Sequence, residues 1–399
     1  MRNFIILLLL LPSFVQAQQR SLQQFVDSVL VHSPHIRTLQ ARMEADEAAA
    51  HAENRLDDPE VSFRYMWGSP KDEMNDEKDL IVSQSFDFPT AYLHRSQIKR
   101  HDIRNARVAY QAACHDVLLQ ATQLAVELCY NDTLLHLVRQ QDAMSEDFLS
   151  AESTRFKEGH ASVHRYNESQ RLNLIHHQRI RTLEAERQAF FTEFKTVCGF
   201  DYHPEVIVGN IDHFKQELLL PKEPDFDQWW QEVAASSPEM QLVDNAVNLA
   251  QLNVKTAKDG WLPQFTVGYE QEIALDEKLR GISFGLSLPL WSNGGKVKAA
   301  RRALEAAKLD AQDQRLTFYT RLHSLYLKVF GELSSASEYR SLLYQQKNAD
   351  LLRRTYEEGQ ITRPDYLEGM IGVLEVQLDL LNQEKSAALL WLQLNSVRY

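Results

Sequence analysis

The chain has 399 residues, 44% of them hydrophobic and 25% charged, with a formal net charge of −12. That acidic balance argues against a nucleic-acid partner. Three cysteines, an odd count, do not make a disulfide framework; structural burial is the role expected of Cys114, Cys129 and Cys198.

Met1-Arg2-Asn3, an apolar run from Phe4 to Leu11 and a small-residue site at Ala17 read as a secretory signal peptide over residues 1–17. Loss of Arg2 with it takes the net charge from −12 to −13. The run is too short for a spanning helix, which needs about 20 residues. No cysteine follows the site to carry a lipid, and no later segment could span as a helix. Any membrane insertion by residues 18–399 is therefore expected through β-strands.

After Ser33-Pro34 a helix is predicted over about 35–57. Past Pro59, the apolar residues Val61, Phe63, Tyr65 and Trp67 alternate with Ser62 and Arg64, the period of a strand. An acidic loop from Lys71 to Asp79 follows. A second alternating segment then sets Leu80, Val82, Phe86 and Phe88 against Ser83, Ser85 and Asp87, with Gln84 breaking the apolar set. From Ala91 to Cys198 there is no proline and one glycine, Gly159. Proline and glycine end helices, so this stretch predicts two long helices with a turn at Gly159. The first, to Lys157, would rise about 100 Å. The second is placed at 163–198.

The same plan then recurs. Ser237-Pro238 lies 204 residues after Ser33-Pro34, as Pro263 does after Pro59. Beyond the loop the offset is 200: Pro89 matches Pro289, Phe156 matches Tyr356 and Gly159 matches Gly359. Two repeats are read, about 33–200 and 237–399, joined by a belt at 199–236 that holds Pro204, Pro221 and Pro224. The second repeat predicts a helix at 239–260 and strands around Phe265–Glu270 and Gly281–Leu288. A long helix at about 292–357 begins at once after Pro289, and a shorter one follows Gly359. Phe284, Leu286 and Leu288 are expected to face lipid, and Ser283, Gly285 and Ser287 a lumen. Four strands cannot close a barrel, whose smallest versions have about 8, so the chain is expected to share one.

At these residues the sequence is similar to the TolC family of bacterial outer-membrane efflux proteins. The similarity rests on the duplicated plan, on the two Ser-Pro starts, and on the paired turns Arg155-Phe156-Lys157-Glu158-Gly159 and Thr355-Tyr356-Glu357-Glu358-Gly359. It implies a mainly α fold with a small β part. Long helical hairpins would form an α-barrel, and four strands per chain would contribute to a 12-stranded transmembrane β-barrel shared by a homotrimer. It also implies a passive exit duct in the outer membrane, in contact with lipid. Its partners would be a periplasmic adaptor and an inner-membrane pump of the resistance-nodulation-division type. Ser83-Gln84-Ser85-Phe86-Asp87-Phe88-Pro89 resembles the strand end of the heavy-metal branch, which extends the implied substrate to heavy-metal cations. Gly294-Gly295-Lys296 keeps that branch's continuation, whereas Thr90-Ala91-Tyr92 departs from it.

The resemblance implies an adaptor-docking tip at Phe156, Gly159, Tyr356 and Gly359. Asp365 matches a family position at the periplasmic mouth; with its first-repeat equivalent Arg165 and nearby Arg363 it is a gate candidate. Thr362 and Asp365 also read as a helix cap and its third residue, a purely structural alternative. His160, His164, His176 and His177 cluster near the first turn; metal ligation through the spacing of His160 and His164 is one reading, exposed helix-end histidines the favoured one. No nucleophile elbow or other catalytic constellation is present, and no cofactor is implied. The competing function is a periplasmic or surface coiled-coil interaction protein without a pore. The alternating hairpins separate the two.

Overall fold

The computed structural model describes residues 25–52, 55–67, 76–201, 226–274, 277–346 and 348–396. The signal-peptide region and most of the belt lie outside them. In chain order the elements are α1 (residues 25–32), α2 (Pro34–Ala52), β1 (Glu60–Trp67), β2 (Asp76–Phe86), α3 (Pro89–Lys157) and α4 (Val163–Cys198). There follow α5 (Phe226–Ser236), α6 (Pro238–Asp259), β3 (Gln264–Ala274), β4 (Glu277–Ser287), α7 (Lys296–Gln346), α8 (Asn348–Glu357) and α9 (Arg363–Asn395). Pro89 opens α3, where a missing N–H leaves no intrahelical bond unmade. No further proline or glycine interrupts its 69 residues.

The chain divides into two compact units, each drawn from both repeats: one holds residues 113–235 and 319 onward with those up to 39, the other 40–112 and 236–318. In the first, Val126, Tyr130, Leu134 and Val138 recur at four-residue steps on α3 and bury against Leu183 of α4 and Leu378, Leu381 and Ala388 of α9. Cys114, Cys129 and Cys198 are buried thiols, as expected, and burial pushes the Cys198 thiol up to about 12. Leu378 is fully buried, so trimming it to alanine would cost about 2–5 kcal/mol.

The second unit carries the sheet. Its order is β1-β2-β3-β4, antiparallel throughout, so the hairpins of the two repeats are joined through β2 and β3. Residues directly opposite in a sheet share a face. The pairs Phe63 with Leu80, Val82 with Tyr269, Val267 with Phe284 and Phe265 with Leu286 place the apolar set on one side. Ser83 with Gly268, Thr266 with Gly285 and Gln264 with Ser287 lie on the other. Ile81 and Leu279 interrupt the polar face. The apolar face is bare: Phe63 is 67% exposed, Ile282 70% and Phe284 79%. A contiguous patch of this kind marks an interaction with membrane or partner. No helix among the described residues is long and apolar enough to cross a membrane.

Several boundaries differ from the sequence reading; α2 ends at Ala52, short of the expected 57, and β3 runs on to Ala274. β2 begins at Asp76, inside the stretch read as an acidic loop. There the charges belong to the ladder: Arg64 faces Asp79 across strands and donates Nε to its Oδ2 at 2.7 Å. The second long helix does not start at Pro289. Residues 290–295 form a turn closed by Gly295 at φ 83°, a device the first repeat lacks, and α7 begins at Lys296. Nor is 292–357 one helix, since α7 ends at Gln346 and α8 starts at Asn348.

Candidate functional site at the two helical turns

Both predicted turns are built alike. At the end of α3, Gly159 takes φ 76° and donates its N–H to the Phe156 carbonyl at 3.1 Å, while His160 donates to Arg155 at 2.8 Å. At the end of α8, Gly359 takes φ 70°, donates to Tyr356 at 2.9 Å, and Gln360 donates to Thr355 at 2.8 Å. This paired pattern is the Schellman closure, which satisfies the last carbonyls of a helix and selects glycine at the left-handed position.

Each turn is then locked by an aromatic stack that the sequence reading missed. Phe156 stacks on Tyr166 with ring centroids 5.1 Å apart, and Tyr356 stacks on Tyr366 at 4.9 Å. The 200-residue offset that relates Phe156 to Tyr356 also relates Tyr166 to Tyr366, so the signal was present. Phe156 and Tyr356 keep one side exposed. The next helices begin on hydroxyl caps: Ser162 accepts from the Arg165 N–H and Thr362 from the Asp365 N–H.

The three gate candidates fall within two adjoining ion-pair systems. Arg165, on α4, donates from Nη2 to Asp365 Oδ1 at 2.9 Å and to Glu368 Oε2 at 3.0 Å, both on α9. Its Nε reaches Glu152 on α3 at 3.3 Å, and its guanidinium lies over the Phe148 ring. Glu152 is fully buried and also accepts from Arg155 at 3.0 Å. Arg363 pairs separately with Asp147 at 3.0 Å. Glu152, Glu368 and Asp147 were not singled out from sequence, because partner acids on a charged helix surface look like ordinary solvated residues.

Asp365 serves the cap and the ion pair at once. Its Oδ2 accepts from the Thr362 hydroxyl at 2.5 Å while its Oδ1 faces Arg165. The Thr362 hydrogen bond, helped by the charge of Arg165 and opposed by partial burial, holds its carboxyl below the usual aspartate range. Burial works against the Arg165 charge, but its hydrogen bond to Glu152 and the charges of Glu368, Glu152 and Asp365 outweigh it and raise its pKa.

The histidines part company. His160 and His164 are exposed, as expected. His176 is buried at 2% exposure, against the helix-end reading, because α4 turns it away from solvent; burial holds its imidazole below the ordinary value. His177 is partly exposed and lies against acids of α3.

No protein-family model and no curated protein matches the sequence. Solved structures do. A membrane protein from Pseudomonas aeruginosa is similar with a TM-score of 0.74 and 13% identity, covering 94% of this chain and 93% of that one. VceC, an outer-membrane protein of Vibrio cholerae, is similar with a TM-score of 0.71 and 15% identity over 96% of this chain and 97% of its own. The CmeC outer-membrane channel of Campylobacter jejuni gives 0.70 and 13% over 96% and 87%. The chain has the fold of these proteins, the mainly helical fold with four strands that the sequence resemblance implied.

Proposed function

We propose that this chain, having the fold of outer-membrane channels, is the outer-membrane exit duct of a tripartite efflux pump, passing substrate passively from periplasm to exterior. The observation that carries the reading is the sheet. It has one exposed apolar face, one face of serine, glycine and charged residues, and a β-strand at each edge with no partner among the described residues. In lipid every backbone polar group needs a partner, so the edges of β1 and β4 must be paired. Because the four strands alternate in direction, β4 of one chain runs antiparallel to β1 of the next. Three copies then close a barrel of twelve strands with an even count and uniform antiparallel pairing.

On this reading the Phe156, Gly159, Tyr356 and Gly359 turns dock the adaptor, and the pump is of the resistance-nodulation-division type. Arg165, Arg363 and Asp365 hold the periplasmic mouth closed. Heavy-metal cations are the proposed cargo on the strength of Ser83–Pro89 and Gly294-Gly295-Lys296; the type of pump encoded beside the gene tests that choice separately. The duct itself is tested by fractionation, by the mass of the detergent-extracted protein and by planar-bilayer recording. Membrane recovery, a trimer and discrete conductance steps are expected. Recovery in the soluble periplasm without detergent, or a stable monomer that conducts, overturns the reading and favours the pore-free coiled-coil protein.

A further inference from the structure

The described residues place potential metal ligands together at two points, and the two differ in one respect. On the polar face of the sheet, Glu77, Asp79 and Glu272 gather around a cation the protein supplies itself, Arg64, which is paired with Asp79. At the other, Asp142 and Glu146 of α3 meet His177 of α4. Asp142 and Glu146 are four residues apart, one turn along the same helix face. Two carboxylates so placed repel each other unless a cation lies between them. Among the described residues neither has a lysine or arginine at ion-pair distance; each pairs with His177 alone.

The His177 imidazole lies between the two carboxylates. His177 Nδ1 lies 2.7 Å from Asp142 Oδ1, and its Nε2 lies 3.7 Å from Glu146 Oε1. Asp142 Oδ1 is shut off from solvent, and its close partner is His177 Nδ1. One ligand atom from each of the three residues lies within 4.8 Å of the others. First-row transition ions bind imidazole nitrogen and carboxylate oxygen at about 2.0–2.2 Å.

We propose that Asp142, Glu146 and His177 form a binding site for a divalent transition-metal ion, one per chain, that ties α3 to α4. One imidazole and two carboxylates suit zinc and its neighbours better than magnesium or calcium, which favour all-oxygen shells. Water would complete the coordination on the exposed side of Glu146. The second repeat does not repeat the site: at the 200-residue offset the three positions are Leu342, Gln346 and Gln377. The site stands apart from the choice of cargo, because a conducted ion passes through a duct whereas this one would be held in its wall.

Equilibrium dialysis of the tag-free, detergent-solubilised protein against zinc tests it. One saturable zinc per chain is expected. His177→Gln should weaken binding by at least about tenfold, Asp142→Asn should do likewise, and His164→Gln should leave it unchanged. Cobalt(II) should give a visible ligand-field band in the wild type that His177→Gln abolishes. Zinc should raise the melting temperature of the wild type and not of His177→Gln. Absence of saturable zinc binding at millimolar concentration, or an undiminished single zinc in His177→Gln, means an imidazole–carboxylate ion pair only and overturns the proposal. If His177→Gln fails to fold, Asp142→Asn and the wild-type cobalt spectrum decide the matter. Conductance by a protein that binds no zinc would leave the duct reading intact while removing this one.

Discussion

Arg165→Ala is the sharpest perturbation of the proposed mouth, because one side chain holds three carboxylates on two helices. Two of its pairs, with Asp365 and Glu368, involve acids about half exposed, at 48% and 49%. Such pairs are worth about 0–1 kcal/mol each. The third partner, Glu152, is fully buried but keeps Arg155 after the substitution, so its loss is that of one charged hydrogen bond, about 1–3 kcal/mol. The sum is about 1–5 kcal/mol per chain. If only the two exposed pairs break on opening, about 1 kcal/mol per chain shifts the closed state by about 3 kcal/mol in a trimer, roughly a hundredfold in the opening equilibrium. Single-channel recording in planar bilayers should show Arg165→Ala open far more often than wild type. Arg165→Lys, which keeps the charge but not the fork that spans Asp365 and Glu368, should fall between. An Arg165→Ala trimer that melts earlier but gates like wild type would show that the network only packs the helices, and the gating argument would fail.

Asp365 separates cap from gate: Asp365→Asn can still cap α9 but loses the charge facing Arg165, so it should raise conductance with little loss of melting temperature, whereas Asp365→Ala should lower both closure and stability. Because its folded pKa is lowered, its contribution is present above the ordinary aspartate value of about 4 and is lost as pH falls further, through the lower folded value; melting curves from pH 7 downward should show less acid loss in Asp365→Asn. Leu286→Arg, on the apolar face, should cost about 2–4 kcal/mol if near the bilayer midplane and Ser287→Arg much less, read from the yield of folded trimer; equal tolerance would reverse the assignment of faces. Phe156→Ala together with Tyr356→Ala should remove crosslinking to the adaptor while leaving conductance in pure bilayers, and unchanged crosslinking would place the docking surface elsewhere.

Long periodic elements were legible in the sequence and their ends were not. α3 and α4 follow from a stretch of over a hundred residues with no proline and a single glycine, Gly159, that divides them. The strand faces follow from an alternation broken at Gln84, Ile81 and Leu279, and the register shows which residues share a side. What composition hid was pairing. Glu77, Lys78 and Asp79 look like loop because the Arg64 that makes them strand is fifteen residues away from Asp79. The turn residues were found through their repetition, yet Tyr166 and Tyr366, repeated at the same offset, were passed over because an aromatic after a cap has no meaning until its stacking partner is known. Glu152 was invisible for a different reason: nothing in a helical sequence distinguishes a buried acid from an exposed one when its arginine comes from the next helix.

Arg165 and Asp365 occupy the same place in their respective repeats and touch each other. A contact between equivalent positions cannot be made from two identical copies, since like would meet like: arginine against arginine, or acid against acid. Two repeats alike at this position would set the same charge against itself there. The clasp requires the two repeats to carry opposite signs at this position. Converting Arg165 to aspartate, or Asp365 to arginine, would place like charges face to face, and making both changes together would exchange the two roles rather than abolish them.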